Sequence, residues 1–595
     1  MTAFAAVLSL GGRHEVIDDV AAVLTAATGL QAQIFSSDNC TMLLAPLHAW
    51  DPRAPVVNQQ AGLAAVGQVM LEGSAGLSRT LQLSDSAAEL EIVAAAFDRW
   101  GPESTQRMHG EYAFALWRAR ERTLTCARDA LGIRVLYVGQ SPRCIVVSNV
   151  LDAVVAHPAI STALNDAALV RFLAHGTLTT TGATPYKAVR LVPPGHTLTL
   201  AADGGATLQR HWQPAPVRRI VAADDESIAG GYREVLRQSV SDRIARRRGS
   251  IFLSGGIDST TIAATAVDCA AGLRAVTFRY RGIKLVDEVA MATAVAARLA
   301  IPLDVVDADA FEALEAERSR SSAATLVDEP ALCNWRAGLA HAARFSTLAI
   351  YGEDGDALFA PPGGAALLEA QSIRSVMAAT VRLVAAERQL PYLGLRVRER
   401  LGLWRAASPP AMTWLTADAH RALADSEDDT VMGQRPQPID GPPADRRTWL
   451  RLLENVPCDF AVSLSPDVTR QPLALTLPLM DSRVVAYVQS VPPIPWCHRK
   501  RLARAAFAER LPAGVLRRPK TPLSGDRDAL VRAWRRKHGE DATLRGVTAT
   551  GWVDSHLLKE ALLRGSSEAA MAAWRVLMLD AWLARAAAGG ARCIH

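Results

Sequence analysis

The sequence predicts an α/β protein with a strand-rich front part and a back part built on a parallel sheet. Up to about His211, short apolar or alternating runs are bounded by glycine and proline, as expected for strands joined by turns. From Gly249, strand patterns alternate with helix patterns, which favours a parallel sheet covered by helices on both faces. Beyond Leu358 the pattern is mostly helical.

The composition places no special demand on partners. The chain has 595 residues, 49% of them hydrophobic, and a net charge of +5, so neither nucleic acid nor a membrane is expected to bind it. The eight cysteines include no C-x-x-C pair, which argues against a disulfide framework and a structural zinc site. The opening "MTAFAAVLSLGG" favours a β-strand over a signal peptide, and no Ala-rich segment reads as a spanning helix. A reducing, bacterial-type cytoplasm is the expected location.

The front part is predicted to extend over residues 1–211. The segments "RTLTCARDALGIRVLYVG" and "RCIVVSNV" have the pattern of strands, and "LVPPGHTLTL" predicts a turn followed by another strand. The stretch "WQPAPVRRIVAADDES", residues 212–227, is typical of a linker. The back part is then expected to take residues 228–595.

The back part begins with a predicted helix, "IAGGYREVLRQSVSDRIARR", and continues as strand–helix pairs. Strand "SIFL" precedes helix "STTIAATAVDCAAGL", and strand "RAVTF" precedes helix "DEVAMATAVAARLA". Two further strands, "LDVVDA" and "STLAIYG", extend the predicted parallel sheet. The Pro-rich stretch "GQRPQPIDGPPADRR" predicts an exposed loop within the later helical region.

The loop after the first of these strands, in "IFLSGGIDST", has the residues of a phosphate site. Gly255 and Gly256 let the backbone turn sharply and approach a ligand, and amides at a helix N-terminus favour an anion. Ser254 and Ser259 add hydroxyl donors, and Asp258 suits a divalent cation that bridges phosphates. The alternative is a plain tight turn with an Asp or Ser helix cap. The loop lacks the Gly-Lys-Ser/Thr of a Walker motif.

This loop resembles the S-G-G-x-D-S pyrophosphate loop of the ATP pyrophosphatases, and three further stretches resemble the asparagine synthetase family. "YGEDGDALF" is similar to that family's S-G-E-G-x-D-E-L-F, and "PLMDSRVVAY" to P-F-L-D-x-R. "RKRLARAAFAERLPAGVLRRPKTPL" resembles a lysine-containing helix followed by L-P and R-P-K. The stretch "YGEDGDALF" retains the following residues of the family motif: Gly352, Glu353, Asp356, Leu358 and Phe359.

The front part resembles the glutaminase domain of the same family, through "MHGEYAFALWRARERTLTCARDALGIRVLYV" and "VPPGH". The resemblance covers nearly the whole chain. It implies an Ntn-hydrolase-like αββα sandwich, a degenerate glutaminase, over residues 1–211. It also implies a doubly wound parallel-sheet ATP-pyrophosphatase domain with additional helices over residues 228–595.

The resemblance also implies the site residues, with ATP and Mg²⁺ as the cofactors. Asp258 and Asp356 would hold Mg²⁺ on the triphosphate, and Glu353 would orient or deprotonate the reacting amine. Lys520 would stabilise negative charge as an acyl-adenylate forms and breaks down. Taken alone, either aspartate would more often be a helix cap or a surface charge, and the alternative for Lys520 is a surface lysine. The ATP-binding residues implied are Leu253, Ser254, Gly255, Gly256, Asp258, Ser259, Thr277 and Gly352.

Four other charged residues admit two interpretations each. Lys500 and Arg504 are four apart on a predicted helix and share a face, which suits either phosphate binding or solvent. Asp287 and Glu288 resemble the family's D-E pair, and a favourable position at a helix N-terminus explains them almost as well.

The front part departs from the family at its catalytic residues. Thr2 stands where the glutaminase has its nucleophilic cysteine. The R-G-P-D and N-G-E segments that build the glutamine pocket are missing, and "EGSAG" stands near the place of the latter. Because the pocket and the thiol are lost together, we expect a domain that does not hydrolyse glutamine, although an N-terminal threonine can be a nucleophile.

The back part departs from the family where free aspartate would be recognised. The family's E-V-R-x-P-F-L-D reads "ALTLPLMD", with Ala474 and Thr476 in place of the charged pair. Two subgroups have lost the glutaminase and kept the adenylating site: enzymes that close β-lactam rings, and lasso peptide macrolactam synthetases. The long helical segment between the Asp356 loop and "PLMD" suits a peptide better than a small molecule.

The expected function is therefore that of a lasso peptide cyclase. Such an enzyme adenylates an Asp or Glu side chain of a precursor peptide, releases pyrophosphate, and joins the acyl group to the peptide's own N-terminal amine. The precursor peptide is the expected partner, and the leader peptidase of the same pathway is a second candidate. Alternatives are a small-molecule amide ligase, either β-lactam synthetase-like or an ammonia-dependent asparagine synthetase, a tRNA-thiolating enzyme, and an inactive binding protein. The absence of a motif-spaced cysteine pair argues against thiolation, and the Asp258, Asp356 and Lys520 set argues against an inactive protein.

Overall fold

A computed structural model of the chain describes most of its residues. The described ranges are 2–11, 15–46, 56–58, 61–178, 182–220, 224–244, 247–281, 288–309, 325–327, 332–360, 365–387, 412–424, 430–455, 460–518, 544–564 and 567–588.

The front part contains two six-stranded antiparallel sheets. The first has the order β10-β8-β9-β1-β3-β2 and the second the order β12-β11-β7-β6-β5-β4. The strands are β1 (Ala3–Ser9), β2 (Gln33–Ser36), β3 (Cys40–Ala45), β4 (Val56–Asn58), β5 (Leu63–Leu71), β6 (Gly110–Arg118), β7 (Thr123–Arg128), β8 (Tyr137–Gln140), β9 (Cys144–Ser148), β10 (Val189–Leu191), β11 (His196–Ala201) and β12 (Ala206–Arg210).

The helices number twenty-three within the described ranges, and most lie in the back part. They are α1 (Asp18–Thr28), α2 (Ser74–Thr80), α3 (Glu89–Trp100), α4 (Leu151–Ala156), α5 (Asp166–His175), α6 (Asp225–Ile244), α7 (Ile257–Cys269), α8 (Glu288–Leu299), α9 (Leu332–Ala343), α10 (Gly355–Leu358), α11 (Ala365–Ala370), α12 (Ile373–Glu387), α13 (Ala417–Ala424), α14 (Pro443–Asn455), α15 (Ala461–Ser463), α16 (Pro466–Thr469), α17 (Ser482–Ser490), α18 (Pro493–Trp496), α19 (Arg501–Ala506), α20 (Ala513–Arg517), α21 (Arg545–Ala549), α22 (Ser555–Arg564) and α23 (Ser567–Ala588). Short 3-10 helices cover Gly101–Arg107, Pro478–Met480 and His498–Lys500.

The two front sheets pack face to face, and helices cover their outer faces. Strand β1 is buried along its whole length because it has a hydrophobic layer on each side. Phe4 and Leu8 point into the core between the sheets, whereas Val7 points into the core shared with α1. Helix α3 covers the other sheet through Ile92 and Phe97. The predicted αββα sandwich is confirmed.

The back part contains a five-stranded parallel sheet in the order β15-β14-β13-β16-β17. Its strands are β13 (Gly249–Phe252), β14 (Arg274–Arg281), β15 (Leu303–Asp309), β16 (Leu348–Ile350) and β17 (Ala474–Thr476). The first four are the strands predicted from the sequence. The fifth was not predicted as a strand, because it is three residues long and follows a mostly helical region. The predicted parallel sheet is confirmed.

The predicted linker and the Pro-rich stretch each contact other elements of the chain. Trp212, in the predicted linker, lies edge-on against Trp449 with ring centroids 4.9 Å apart. The Pro-rich stretch is a largely exposed loop up to α14, as predicted, although its Ile439 is buried and the Gln437 carbonyl accepts a hydrogen bond from Arg210 Nε at 2.7 Å. No helix in the described part of the chain is long and apolar enough to cross a membrane.

Candidate active site

Two loops meet at the point where the order of the back sheet reverses. Strand β13 lies between β14, the next strand along the chain, and β16, which comes about a hundred residues later. β13 and β16 run parallel, with Ile251 opposite Ile350, so the loops that follow them leave the same edge of the sheet. This reversal is where open α/β sheets bind their ligands.

The first loop, residues 253–259, forms a tight turn into α7. Gly255 has a φ of +66°, and a Cβ there would lie 2.6 Å from Met291 Cβ, so a glycine is needed. Gly256 has no such requirement, since its φ is −74°. Ser254 Oγ and Ser259 Oγ lie 3.1 Å apart and hydrogen-bond each other. Helix α7 has no side-chain cap, so the alternative interpretation of Asp258 as a helix cap is wrong.

The second loop, residues 351–356, packs directly on the first. A Cβ on Gly352 would come within 2.8 Å of the backbone of Ser259, and one on Gly355 within 2.3 Å of Asp258 Cγ. Asp354, between them, has a left-handed backbone with φ 64°. The two glycines therefore allow the second loop to approach Asp258 closely.

The carboxylates of both loops meet at Lys500. Its Nζ forms a close ion pair with Asp258 Oδ2 and lies 2.7 Å from Asp356 Oδ1. Lys500 precedes α19, and Arg504 within that helix points elsewhere, donating to the carbonyls of Val515 and Arg518. Lys500 therefore contacts the site carboxylates, whereas Arg504 donates to backbone carbonyls; that either residue binds phosphate stays a prediction.

Three buried polar atoms at this edge of the sheet have no hydrogen-bond partner among the described residues. They are Asp258 Oδ1, Thr277 Oγ1 and Asp354 Oδ2. Burial raises the pKa of Asp258, and so does the charge of Asp356, while Lys500 opposes both. Burial and the charge of Asp356 also raise the pKa of Asp354 to about 6. Buried polar atoms left without partners are costly, which is typical of a site that takes a ligand.

The donor set fits a hard divalent cation. Asp258 and Asp356 present carboxylate oxygens to one point, and oxygen ligands of this kind are those that Mg²⁺ prefers. The same point lies beside the Gly255 turn, whose backbone has no side chain in the way. Both predicted metal ligands are thus brought together.

Residues 231–584 match the asparagine synthase family, which is more than half of the chain. The chain belongs to this family. Residues 75–212 match the glutamine amidotransferase domain family. The asparagine synthase family consists of ATP-dependent enzymes that form carbon–nitrogen bonds.

Individual relatives match over short segments. Asparagine synthetase [glutamine-hydrolyzing] 3 of Bacillus subtilis is 26% identical over 185 residues, which are 31% of this chain and 29% of the relative. Amidase chyE of Penicillium rubens is 30% identical over 184 residues, 30% of this chain and 27% of the relative. The matched region thus spans less than a third of the length of either relative. Among solved structures, glutamine phosphoribosylpyrophosphate amidotransferase of B. subtilis matches with a TM-score of 0.27 and 12% identity. The match covers 51% of this chain and 65% of the solved chain.

The other predicted ATP-binding and catalytic residues fall into three groups. Leu253 directly follows β13 and Thr277 lies within β14; the Leu253 side chain is in the core and its amide donates to Val276 O at 2.9 Å. Glu353 is half-buried in the second loop. Lys520 lies outside the described residues, as does Asp287.

Arg518 was not predicted as a site residue, although it belongs to the quoted R-P-K motif. Its guanidinium donates to the Ser254 carbonyl at 3.3 Å. The chain two residues before Lys520 therefore contacts the first loop. Glu288 begins α8, and burial raises the pKa of its carboxyl against the opposing charge of Arg518.

At the front site, a side-chain amide bonds to the backbone of the residue that replaces the family's cysteine. The Thr2 carbonyl accepts from Asn149 Nδ2 at 2.8 Å. In "EGSAG", the Gly73 amide donates to Asp242 of α6 at 3.2 Å, and Glu72 pairs with Arg243 at 3.3 Å. The segment that stands where the family builds its glutamine pocket is therefore attached to the back part.

Proposed function

We propose that this chain is an ATP-dependent ligase that activates a carboxylate as its adenylate and transfers the acyl group to an amine, and that it is a lasso peptide cyclase. The observation that carries the ligase proposal is the meeting of the Ser254 and Asp356 loops. They join a phosphate-type turn, a carboxylate pair and buried polar atoms that have no partner within the described part of the chain, all at one edge of the sheet.

The proposed reaction uses these residues as follows. The backbone amides after Gly255 hold the phosphates, and Asp258 and Asp356 would hold Mg²⁺, which offsets the charge of the triphosphate. A carboxylate oxygen of the substrate attacks the α-phosphorus and pyrophosphate leaves. The amine then attacks the acyl carbon, AMP leaves, and Glu353 accepts the amine's proton. Lys520 is proposed to stabilise the charge that develops in both steps.

Two features support a peptide substrate over free aspartate. Ala474 and Thr476 have uncharged side chains, and the Thr476 hydroxyl is buried and bonded to Glu111. Neither residue therefore offers a charge to the head group of an amino acid. Helix α12, in the long segment between the second loop and β17, exposes Ile373, Met377 and Val381 at 60%, 63% and 69%. Residues four apart share one face of a helix, so these three form an apolar stripe that suits a peptide chain.

The front part supports an amine source other than glutamine. Thr2 lacks the thiol, and the segment near the expected pocket bonds to α6. The peptide's own N-terminal amine would then be the nucleophile. We also propose ATP and Mg²⁺ as cofactors, a precursor peptide as partner with its leader peptidase as a second candidate, and a cytoplasmic location without nucleic-acid or membrane partners.

The names of the relatives favour a second candidate, a small-molecule amide ligase. The test is Mg²⁺-dependent ATP–pyrophosphate exchange with a precursor peptide encoded beside the gene, compared with free aspartate. The peptide with its N-terminus acetylated should support exchange but give no cyclised product. The free peptide should lose one water and release AMP. Exchange with aspartate alone would favour the second candidate, and exchange with neither would contradict the ligase proposal.

A further inference from the structure

A buried carboxylate of the front part contacts the edge strand of the back sheet. Glu111, on β6, is 1% exposed and pairs with Arg134 at 2.8 Å and with Arg243 of α6 at 3.0 Å. Its Oε1 also accepts from the Thr476 hydroxyl at 2.6 Å and from the Leu477 amide at 3.2 Å. Although burial alone would raise it, the two arginines hold the pKa of Glu111 below its usual range, so the group is charged.

A second front residue contacts the same strand. The Arg134 guanidinium donates both to Glu111 and to the Leu475 carbonyl. Three consecutive residues, 475 to 477, are therefore tied to the front part by one ion pair. A backbone held by two buried charged groups loses most of its freedom to shift, because charge-assisted hydrogen bonds are short and directional.

The edge strand is in turn the support of the second site loop. Thr476 lies opposite Ile350 in the parallel pair of β16 and β17, and its carbonyl accepts from the Tyr351 amide at 3.0 Å. Tyr351 begins the loop that carries Glu353 and Asp356. Thr476 thus contacts Glu111 through its side chain and the site loop through its backbone.

Further charges extend the contact between the two parts. Arg243 also pairs with Asp481 at 2.8 Å, and Arg483 pairs with Asp481 at 2.7 Å. Buried charge clusters of this kind add little net stability compared with apolar packing, but they fix one arrangement of the elements that carry them.

We propose that the front part is a brace for the synthetase site, in which Glu111 and Arg134 position the Glu353–Asp356 loop through β17. Glu111 is a positioning residue, since it reaches the loop through Thr476. The brace gives the front part a role that needs neither the thiol nor the glutamine pocket. The role of the loop in adenylation rests on the proposed function, whereas the mechanical link does not.

The test compares two substitutions at one buried hydroxyl. Thr476→Val keeps the shape and removes the bond to Glu111, and Thr476→Ser keeps the bond. We expect Thr476→Val to lower kcat for ATP–pyrophosphate exchange about tenfold or more with KM for ATP little changed, because small displacements of catalytic groups are costly. Amide hydrogen exchange of residues 351–358 should become faster. Thr476→Ser should behave like the unaltered protein in both measurements.

Thr184→Val is the control, since the Thr184 hydroxyl is buried and bonds to the Val189 carbonyl at 2.8 Å within the front part. It should lower stability and leave the 351–358 segment unchanged. An equal effect of Thr184→Val on that segment, or no effect of Thr476→Val on it, would overturn the brace. Should the unaltered protein show no ATP turnover, the proposed function fails, and hydrogen exchange alone still decides the brace.

Discussion

Replacing Gly355 by alanine tests whether Asp258 must hold its observed position. Gly355 has no positive φ, so the backbone accepts alanine, and a helical Gly→Ala change normally stabilises by up to about 1 kcal/mol. The new Cβ would nevertheless lie 2.3 Å from Asp258 Cγ and 2.5 Å from both carboxylate oxygens. Ordinary contact begins at 3.4 Å, so the carboxylate must retreat by about 1 Å from the point it shares with Asp356.

A displacement of about 1 Å in a catalytic group costs on the order of a hundredfold in rate. We therefore expect Gly355→Ala to lower ATP–pyrophosphate exchange by about this factor while the melting temperature stays within a few degrees of the unaltered protein. The matched control is Gly76→Ala, also in a helix, where a Cβ would meet no atom within 4 Å. Exchange within about twofold of the unaltered protein in a folded Gly355→Ala variant would refute the assignment of Asp258.

Three further predictions concern other parts of the molecule. Lys520→Ala should lower turnover roughly a hundred- to a thousandfold with little change in KM for ATP, because the charge it offsets develops in the transition state; unchanged turnover with a raised KM would make it a binding residue. Thr2→Ala should leave product formation unchanged, and no glutamate should form from glutamine; glutamate released in step with ATP use would contradict an inactive front domain. Burial and the charge of Asp481 outweigh the nearby Arg243 and Arg483 and raise the pKa of Glu72 from 4.5 to about 8, so the native protein holds a proton that the unfolded chain has lost, and stability from this group falls as pH rises across that interval. Glu72→Gln should therefore gain in melting temperature relative to the unaltered protein as the pH is raised from 5 to about 8; a constant difference between the two proteins would show that Glu72 does not titrate there.

The sequence predicts those features that depend on neighbouring residues. The turn at Gly255 and the loop at Glu353 are visible because each directly follows an apolar strand. β17 is not visible, because its three residues become a strand only when they pair with β16, more than a hundred residues earlier. The contacts of Lys500 with two aspartates have the same origin, since three distant segments must fold before they form.

The sequence pattern also does not predict side-chain clusters formed by residues of different helices and strands. Glu15, Cys144 and His157 lie within 4.8 Å of one another, although no spacing in the sequence indicates a cluster. The His157 Nδ1 accepts from the Ala159 amide at 3.2 Å, and burial lowers the pKa of the ring and raises that of the thiol, which favours the neutral forms of His157 and Cys144. For the front part, the sequence likewise predicts the loss of glutamine hydrolysis but not the contacts of Glu111 with the back part. The residues that bind Glu111 come from distant parts of the chain.

The ion pairs between the two parts limit how the chain can be recombined with its relatives. A front domain from a glutamine-hydrolysing relative, joined at Trp212, would meet Arg243 and Asp481 of this chain with side chains selected for another partner. Each buried charge left without its counterpart would destabilise the junction by about 3–5 kcal/mol. A working chimaera therefore requires that Glu72, Glu111 and Arg134 be introduced together into the grafted domain, because together they form one connected set of contacts with the back part.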